Sequence, residues 1–332
     1  MKIGYLGSGA WGFSLAKILA ENGHDVVIWT IEENVEESYR TKQRHPRFPD
    51  IEVKGSMRYT FDIDEALQGV DLVVESVTSK GLRSVLEKIV EKGGIKVPFV
   101  ITSKGIEQNT GLLLPELAID VLGEEALDQI VCLSGPTLAL EILAQLPASV
   151  VSSSRSESLC NSVQEAFNTP YFRVYPNRDI IGVAFGGAMK NIIAIASGIS
   201  DGLGFGENTK AALMTRGLHE IRKLGRVKGV LPETLNGLAG LGDLCATCIS
   251  NKSRNYQFGY HLAKGLSPDE AREKIGMVVE GAYTCVSARQ LGEKHKVPLP
   301  ITEGVYQVVY KGASCKEVVK SLLTRSIKEE SL

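Results

Sequence analysis

The sequence predicts an α/β protein in two parts, a doubly wound parallel sheet in the N-terminal half and an all-α domain behind it. Three observations carry that prediction. Short β-branched runs alternate with helix-spaced segments in the first half, strand signals fade after about residue 180, and a glycine-rich turn directly follows the first run. At about 150 residues per domain, a length of 332 suits two domains. The expected division is residues 1–178 and 179–332.

Taken in order, Lys2–Leu6, Val26–Trp29, Leu72–Val74, Phe99–Thr102, Ile130–Leu133 and Val150–Ser152 read as strands. Several are continuous apolar runs, as expected of parallel strands covered on both faces. Between them, Trp11–Glu21, Leu82–Val90, Leu112–Val121 and Leu138–Ala144 show helical spacing. In the second half Thr209–Leu224, Tyr256–Lys264, Pro268–Lys274, Ala282–Lys294 and Ser314–Thr324 are helical in pattern. No fixed repeat or low-complexity stretch interrupts them.

The formal net charge of −2 gives no electrostatic reason to expect nucleic acid or an anionic membrane as partner. An anionic ligand must therefore be held by a local site. Six cysteines scattered through so long a chain do not form a disulfide framework. Cys245 and Cys248 have the spacing of a redox or zinc pair but no second ligand pair, and His219 and His261 stand too far off to complete one. Reduced thiols, a cytoplasmic setting and no metal are the expectation. Two segments imitate membrane signals. Met1–Ala20 is broken by Gly4, Gly7, Gly9 and Gly12 and carries Lys17, unlike a signal peptide. Ile180–Ile199 is long enough to span a bilayer but holds Lys190 and Asn191 at its centre, each costly in hydrocarbon. A buried helix without membrane insertion is the better reading, and it leaves a lysine in apolar surroundings.

Gly7-Ser8-Gly9-Ala10-Trp11-Gly12 follows a strand, opens a helix, and is succeeded by Asn22-Gly23 as a helix stop and a second strand. That context makes it a dinucleotide fingerprint of Rossmann type. Gly7 permits the tight turn, Gly9 lets a pyrophosphate approach the backbone, Gly12 permits close packing, and the helix N-terminus favours negative charge. The second strand ends in Trp29-Thr30-Ile31-Glu32-Glu33 with no basic residue directly behind it. Glu32 can accept a bond from a free ribose 2′-hydroxyl, which leans towards NAD over NADP, although Arg40 or Lys42 could fold back.

A dehydrogenase also needs a proton donor or acceptor beside the reacting oxygen. Lys190 qualifies, because burial depresses an ammonium pKa. A lone lysine would more often snorkel to the surface. Here Gly186-Gly187 before it and Asn191 after it suggest close backbone approach to a ligand. Gly237–Leu244 is a glycine-rich loop whose carboxylate, Asp243, serves either as a helix cap or as a partner oriented towards Lys190. Ser253-Arg254-Asn255 offers hydroxyl, guanidinium and amide donors suited to phosphate.

Together these residues resemble the NAD(P)-dependent glycerol-3-phosphate dehydrogenase family in its bacterial form, over essentially the whole chain. Besides the fingerprint, the resemblance rests on Ser103-Lys104-Gly105, Ser134-Gly135-Pro136-Thr137, Gly186–Asn191, Gly237–Leu244, Ser253–Asn255 and Val278-Val279-Glu280-Gly281. It implies reversible reduction of dihydroxyacetone phosphate to sn-glycerol 3-phosphate with NAD or NADP, supplying phospholipid synthesis, by a cytoplasmic homodimer. Carried over by position, Lys190 is the proton donor and acceptor, and Lys104 contacts substrate and nicotinamide. Asp243, Thr247 and Asn191 line the catalytic pocket. Gly135, Thr137, Ser253, Arg254 and Asn255, with Lys104, Lys190 and Asp243, hold the substrate. Ala10, Trp11, Ala139, Arg254, Val278 and Glu280 join the fingerprint glycines and Lys104 at the cofactor. The chain departs from the family at Ile31-Glu32-Glu33, at Glu75–Thr78 where a Val-Pro-Ser-like turn is usual, and at the Arg44–Ile51 loop.

Two rivals remain at this stage. A β-hydroxyacid dehydrogenase shares the Gly-Gly-x-x-Lys-Asn-like segment, but the Ser-Arg-Asn run and the Gly-Leu-Gly-Asp-Leu loop speak against it. A non-catalytic NADH sensor could dispense with Lys190 or Asp243, and this chain keeps both.

Overall fold

The computed structural model describes residues 1–326 and residue 329, and it divides into two compact units. The first comprises Met1–Ser103 and Leu114–Ile180. Its centre is one eight-stranded sheet: β1 (Lys2–Leu6), β2 (Asp25–Trp29), β3 (Ser56–Thr60), β4 (Leu72–Glu75), β5 (Phe99–Ile101), β6 (Ile130–Ser134), β7 (Ala148–Ser153) and β8 (Phe172–Asn177). The order is β3-β2-β1-β4-β5-β6-β7-β8. Every pairing is parallel except β6 with β7, which is antiparallel. The doubly wound sheet expected from the sequence is therefore present, with that single reversal.

Its helices are α1 (Ala10–Glu21), α2 (Glu33–Lys42), α3 (Ile63–Leu67), α4 (Leu82–Glu91), α5 (Leu114–Leu122), α6 (Ala139–Leu143) and α7 (Glu157–Phe167). The core gathers Ile3, Tyr5, Phe13, Ile28, Val74, Val100, Phe167 and Phe172, all essentially sealed from water. Register decides where chemistry can sit. Leu6 pairs with both Trp29 and Glu75, and Trp29 pairs with Thr60. The C-terminal ends of β1 to β4 are thus level, and the glycine turn, Thr30–Glu33 and Ser76–Ser79 leave the sheet along one edge. Ligands of open α/β sheets bind beyond the carboxyl ends of their strands.

The second unit comprises Lys104–Leu113 and Ile181–Leu332. It is helical: α8 (Ile180–Gly202), α9 (Glu207–Val227), α10 (Pro232–Asn236), α11 (Asp243–Ile249), α12 (Arg254–Ala263), α13 (Pro268–Ile275), α14 (Glu280–Lys294), α15 (Pro300–Lys311) and α16 (Cys315–Leu323). A single cut at 178/179 would leave Lys104–Leu113 with the sheet. That segment instead closes on itself through an Ile106–Leu113 bridge and is tied to α14, where Ser287 Oγ donates to the Ile106 carbonyl at 2.7 Å.

α8 has the length and apolarity to cross a membrane, yet 83% of its most apolar window is buried inside the protein. Its glycines explain how it is covered. A Cβ on Gly198 would lie 1.9 Å from the Tyr256 carbonyl oxygen, and one on Gly259 would lie 1.9 Å from that of Ile195. α8 and α12 thus meet at backbone contact. Gly186 has a similar use, since its Cβ would lie 2.6 Å from the Ala239 carbonyl oxygen. The expectation that the glycines before Lys190 admit a ligand is corrected at this position. Gly186 admits the turn that precedes α11.

Candidate active site

Lys190 sits on α8 with its side chain 7% exposed. A charge so placed must be paired. Its Nζ donates to Asp243 Oδ1 at 2.5 Å and to Thr247 Oγ1 at 2.7 Å. Asp243 and Thr247 stand one turn apart at the start of α11, so they present one face to α8. Thr247 Oγ1 donates to the Asp243 carbonyl oxygen at 2.6 Å, which turns its lone pair towards Lys190. The other carboxylate oxygen, Oδ2, accepts from Lys104 Nζ at 2.6 Å.

Two ammonium groups therefore share one fully buried carboxylate, and the cluster carries a surplus positive charge. Burial pulls the Lys190 pKa down to about 8; Asp243 opposes the shift and the Lys104 charge adds to it. This is an acid/base poised near neutrality, with donors fixed in direction before anything binds.

A second cluster supports the first. Asn255 Nδ2 donates to Asn191 Oδ1 at 3.0 Å, while Asn255 Oδ1 accepts from the Gly281 N–H at 2.9 Å. A Cβ at Gly281 would collide with the Asn191 carbonyl oxygen at 2.5 Å. Asn191 and Asn255 are thus locked where α8, α12 and α14 converge. Ser253 caps α12, its Oγ accepting from the Tyr256 N–H at 3.3 Å. Arg254 extends to the surface, with Nη1 donating to the Val278 carbonyl oxygen at 3.2 Å. Glu280 opens α14 immediately after.

In the first unit the fingerprint is built as a cradle. Gly7 has φ +105°, a left-handed conformation costly for other residues, and its Cβ would lie 2.9 Å from the Ser76 carbonyl oxygen. A Cβ at Gly12 would lie 2.6 Å from the Gly7 carbonyl oxygen. Gly9 differs, because a Cβ there would meet nothing within 4 Å. It is the N-cap of α1, with no side-chain cap bond and no acidic residue in the first turn. Trp11 Nε1 in the same turn is buried without a hydrogen-bond partner. Open backbone N–H groups, clearance at Gly9 and a leftover donor fit a dinucleotide pyrophosphate. Ala10 begins that helix, and the Ala139 carbonyl oxygen lies against it, accepting from Ser14 Oγ at 3.3 Å. Gly135 and Thr137 belong to this unit, joined by a 3.1 Å bond from Thr137 Oγ1 to the Gly135 carbonyl oxygen.

Three further features were not found by sequence reasoning. Glu75, fully buried at the end of β4, accepts from the backbone N–H groups of Val77, Thr102 and Ser103 and from Ser103 Oγ. Burial raises its pKa to about 7 against the pull of those donors. Ser8 Oγ bonds Thr30 Oγ1 at 2.5 Å, pinning the glycine turn to the end of β2. His45, sealed from water, reaches the Ser8 carbonyl oxygen through Nε2 at 2.9 Å. Glu75 and His45 fall in two of the three stretches where the sequence departs from the family pattern, which is the signal that could have marked them. Among the described residues no cluster of three or more His, Cys, Asp or Glu side chains is placed to hold a metal.

Two sequence families match successive parts of the chain. Residues 2–160 match the sequence family described as NAD-dependent glycerol-3-phosphate dehydrogenase N-terminus, and residues 179–320 match its C-terminus. The glycerol-3-phosphate dehydrogenase [NAD(P)+] of Protochlamydia amoebophila is 56% identical over 331 residues, covering 100% of this chain and 99% of its own. That of Chlamydia muridarum is 52% identical, covering 99% of each. The crystal structure of glycerol-3-phosphate dehydrogenase from Coxiella burnetii superimposes with a TM-score of 0.92 at 36% identity, covering 98% of this chain and 99% of that one. The chain belongs to the NAD-dependent glycerol-3-phosphate dehydrogenase family.

Proposed function

We propose that the chain interconverts dihydroxyacetone phosphate and sn-glycerol 3-phosphate with NAD(P)H or NAD(P)+ as redox partner, and that Lys190 moves the proton. The observation that carries the reading is the buried Lys190, fixed by Asp243 and Thr247 and sharing its carboxylate with Lys104.

When bound, the nicotinamide group supplies or accepts the hydride. The chain supplies the rest. In reduction, Lys190 as ammonium donates a proton to the carbonyl oxygen as negative charge develops there, and the surplus positive charge of the cluster stabilises that charge. In oxidation, Lys190 as amine takes the hydroxyl proton. Asp243 holds both ammonium groups, and Asn191 is kept in place by Asn255. Ser253, Arg254 and Asn255, with Gly135 and Thr137, are assigned to the substrate phosphate, Arg254 by charge-assisted bonds. A phosphate anchored away from the reacting carbon gives binding energy that positions that carbon. Gly7, Gly9, Ala10, Trp11, Gly12 and Ala139 are assigned to the cofactor, with Lys104, Arg254, Val278 and Glu280 from the helical unit.

The same reading places the product in phospholipid synthesis and the enzyme in the cytoplasm as a homodimer. Six free thiols suit a reducing compartment, and sedimentation velocity tests the dimer. The decisive experiment is the initial rate of NADH and of NADPH oxidation with dihydroxyacetone phosphate. Rapid oxidation is expected. Folded protein that binds NADH yet oxidises neither cofactor overturns the reading.

A further inference from the structure

We propose that Arg47 holds the 2′-phosphate of an NADP-type dinucleotide while Glu32, paired with it, serves the 2′-hydroxyl of the NAD form, so that one ion pair sets the cofactor preference. The proposal rests on the reading of the first unit as the dinucleotide-binding half.

Glu32 lies just beyond β2, where the ribose of a bound dinucleotide is read. Its backbone N–H bonds to Thr30 Oγ1 at 3.0 Å, and Thr30 is itself bonded to Ser8 of the fingerprint. Facing it at 3.6 Å is Arg47 Nη2, with side chains 40% and 36% exposed for Arg47 and Glu32. Arg47 comes from a loop that lies close to Glu32 in space, not in sequence.

His45 explains the placement. Its ring packs against Phe13 of α1, at a centroid distance of 4.7 Å, and against Phe48, at 5.4 Å, and the two phenyl rings stack on each other at 5.7 Å. The Arg47 N–H donates to His45 Nδ1 at 3.2 Å. Nε2 must then carry the proton and donate to the Ser8 carbonyl oxygen. A neutral histidine, locked at both nitrogens, thus clamps the loop to the back of the glycine turn and delivers Arg47 to the end of β2. Among the described residues, neither Arg40 nor Lys42 is an ion-pair partner of Glu32. Arg40 is paired with Glu36 at 3.4 Å along its own helix.

Opposite charges at one ribose position permit either cofactor. A carboxylate alone accepts from a 2′-hydroxyl but repels a phosphate. A guanidinium beside it offers planar paired donors that match phosphate geometry. A half-exposed pair at 3.6 Å is weak and opens at little cost. With the hydroxyl form, Glu32 accepts and Arg47 remains its counter-charge. With the phosphate form, Arg47 turns from Glu32 to the ligand.

The test is calorimetric titration of the full chain with 5′-ADP and with adenosine 2′,5′-bisphosphate at fixed salt, which reads binding without turnover. Arg47→Gln should weaken the bisphosphate by about tenfold or more and change 5′-ADP by less than about threefold. Arg47→Lys should recover part of the loss, and Glu32→Gln should tighten the bisphosphate. Equal loss for both ligands in Arg47→Gln, or no loss, overturns the proposal alone. Wild-type protein that is folded yet binds neither ligand overturns the dinucleotide reading of this unit, and the proposal with it.

Discussion

A lysine at the centre of an apolar helix has only a few stable arrangements, and Lys190 shows what its choice does to reactivity. Burial holds its pKa at about 8. The sign of the pH dependence follows. Reduction of the carbonyl needs the ammonium form, present below about pH 8, so its kcat/KM should fall as pH rises through that value. Oxidation needs the amine and should rise over the same interval. Opposed pH profiles are the expected result, and parallel ones would assign the proton to another group. Lys190→Ala should retain cofactor binding and lose about 10²–10⁴-fold in kcat; turnover within a few-fold of wild type removes the role. Asp243→Asn should lose a similar factor, because Lys190 and Lys104 would then face each other without the shared carboxylate. Lys190 was legible in the sequence because a charge inside an apolar run is conspicuous. The nearness of Lys104 came only through the family resemblance, and that the two lysines share one acceptor was not legible, since Asp243 lies 139 residues beyond Lys104. His45 and Arg47 were marked only by the departure of their loop from the family pattern, because nothing in a polar loop announces that its histidine will be driven beneath a glycine turn.

Elements were legible to the extent that burial left a mark on their composition. β1, β4, β5 and β6 are covered on both faces and read as continuous apolar runs. The two strands that sequence reading missed, β3 and β8, are the edges of the sheet. Met57, Phe172 and Val174 face the core while Arg58, Arg173 and Tyr175 face out, and Pro176 near the end of β8 is tolerated because an edge strand need not pair on both sides. The reversal of β7 against β6 left no trace, since β6 is buried throughout and β7 over its last four residues. Helix contact tells a similar story. Glycines in α8 weakened the case for a helix on propensity alone, yet they are what brings α8 against α12. Gly198→Ala and Gly259→Ala each place a methyl 1.9 Å from a backbone oxygen that cannot swing away. Each should lower stability by about 1–3 kcal/mol despite the better helix propensity of alanine. A thermal midpoint within a degree of wild type in either variant would mean that the two helices do not touch there.

At the scale of the whole molecule, charge and thiols point to local rather than global devices. A chain of net charge −2 that handles phosphorylated ligands has no long-range attraction to offer them. In the function and the inference proposed above, the positive charge they need is concentrated at Lys104 and Lys190, at Arg254 and at Arg47. The cysteines follow the opposite rule and are dispersed. All six are free; Cys132, Cys160, Cys248 and Cys285 are buried, and Cys245 and Cys315 are partly exposed. Cys132 and Cys160 lie in the sheet-bearing unit and Cys248 and Cys285 in the helical one. Burial raises the thiol pKa of Cys160, Cys245, Cys248, Cys285 and Cys315, which keeps the reactive thiolate scarce at neutral pH. Cys245 and Cys248 have the spacing of a redox pair, but Cys248 lies beneath the Lys190 cluster and out of reach of an oxidant. Native protein titrated with a thiol reagent at pH 7 should therefore modify Cys245 and Cys315 slowly and the other four only on unfolding, when all six react. Reductant should leave the thermal midpoint unchanged. A fast-reacting buried thiol, or a disulfide between Cys245 and Cys248 in the mass spectrum, would show that α11 opens in the native state, and Lys190 could not then keep the buried partners on which its proposed acid/base role depends.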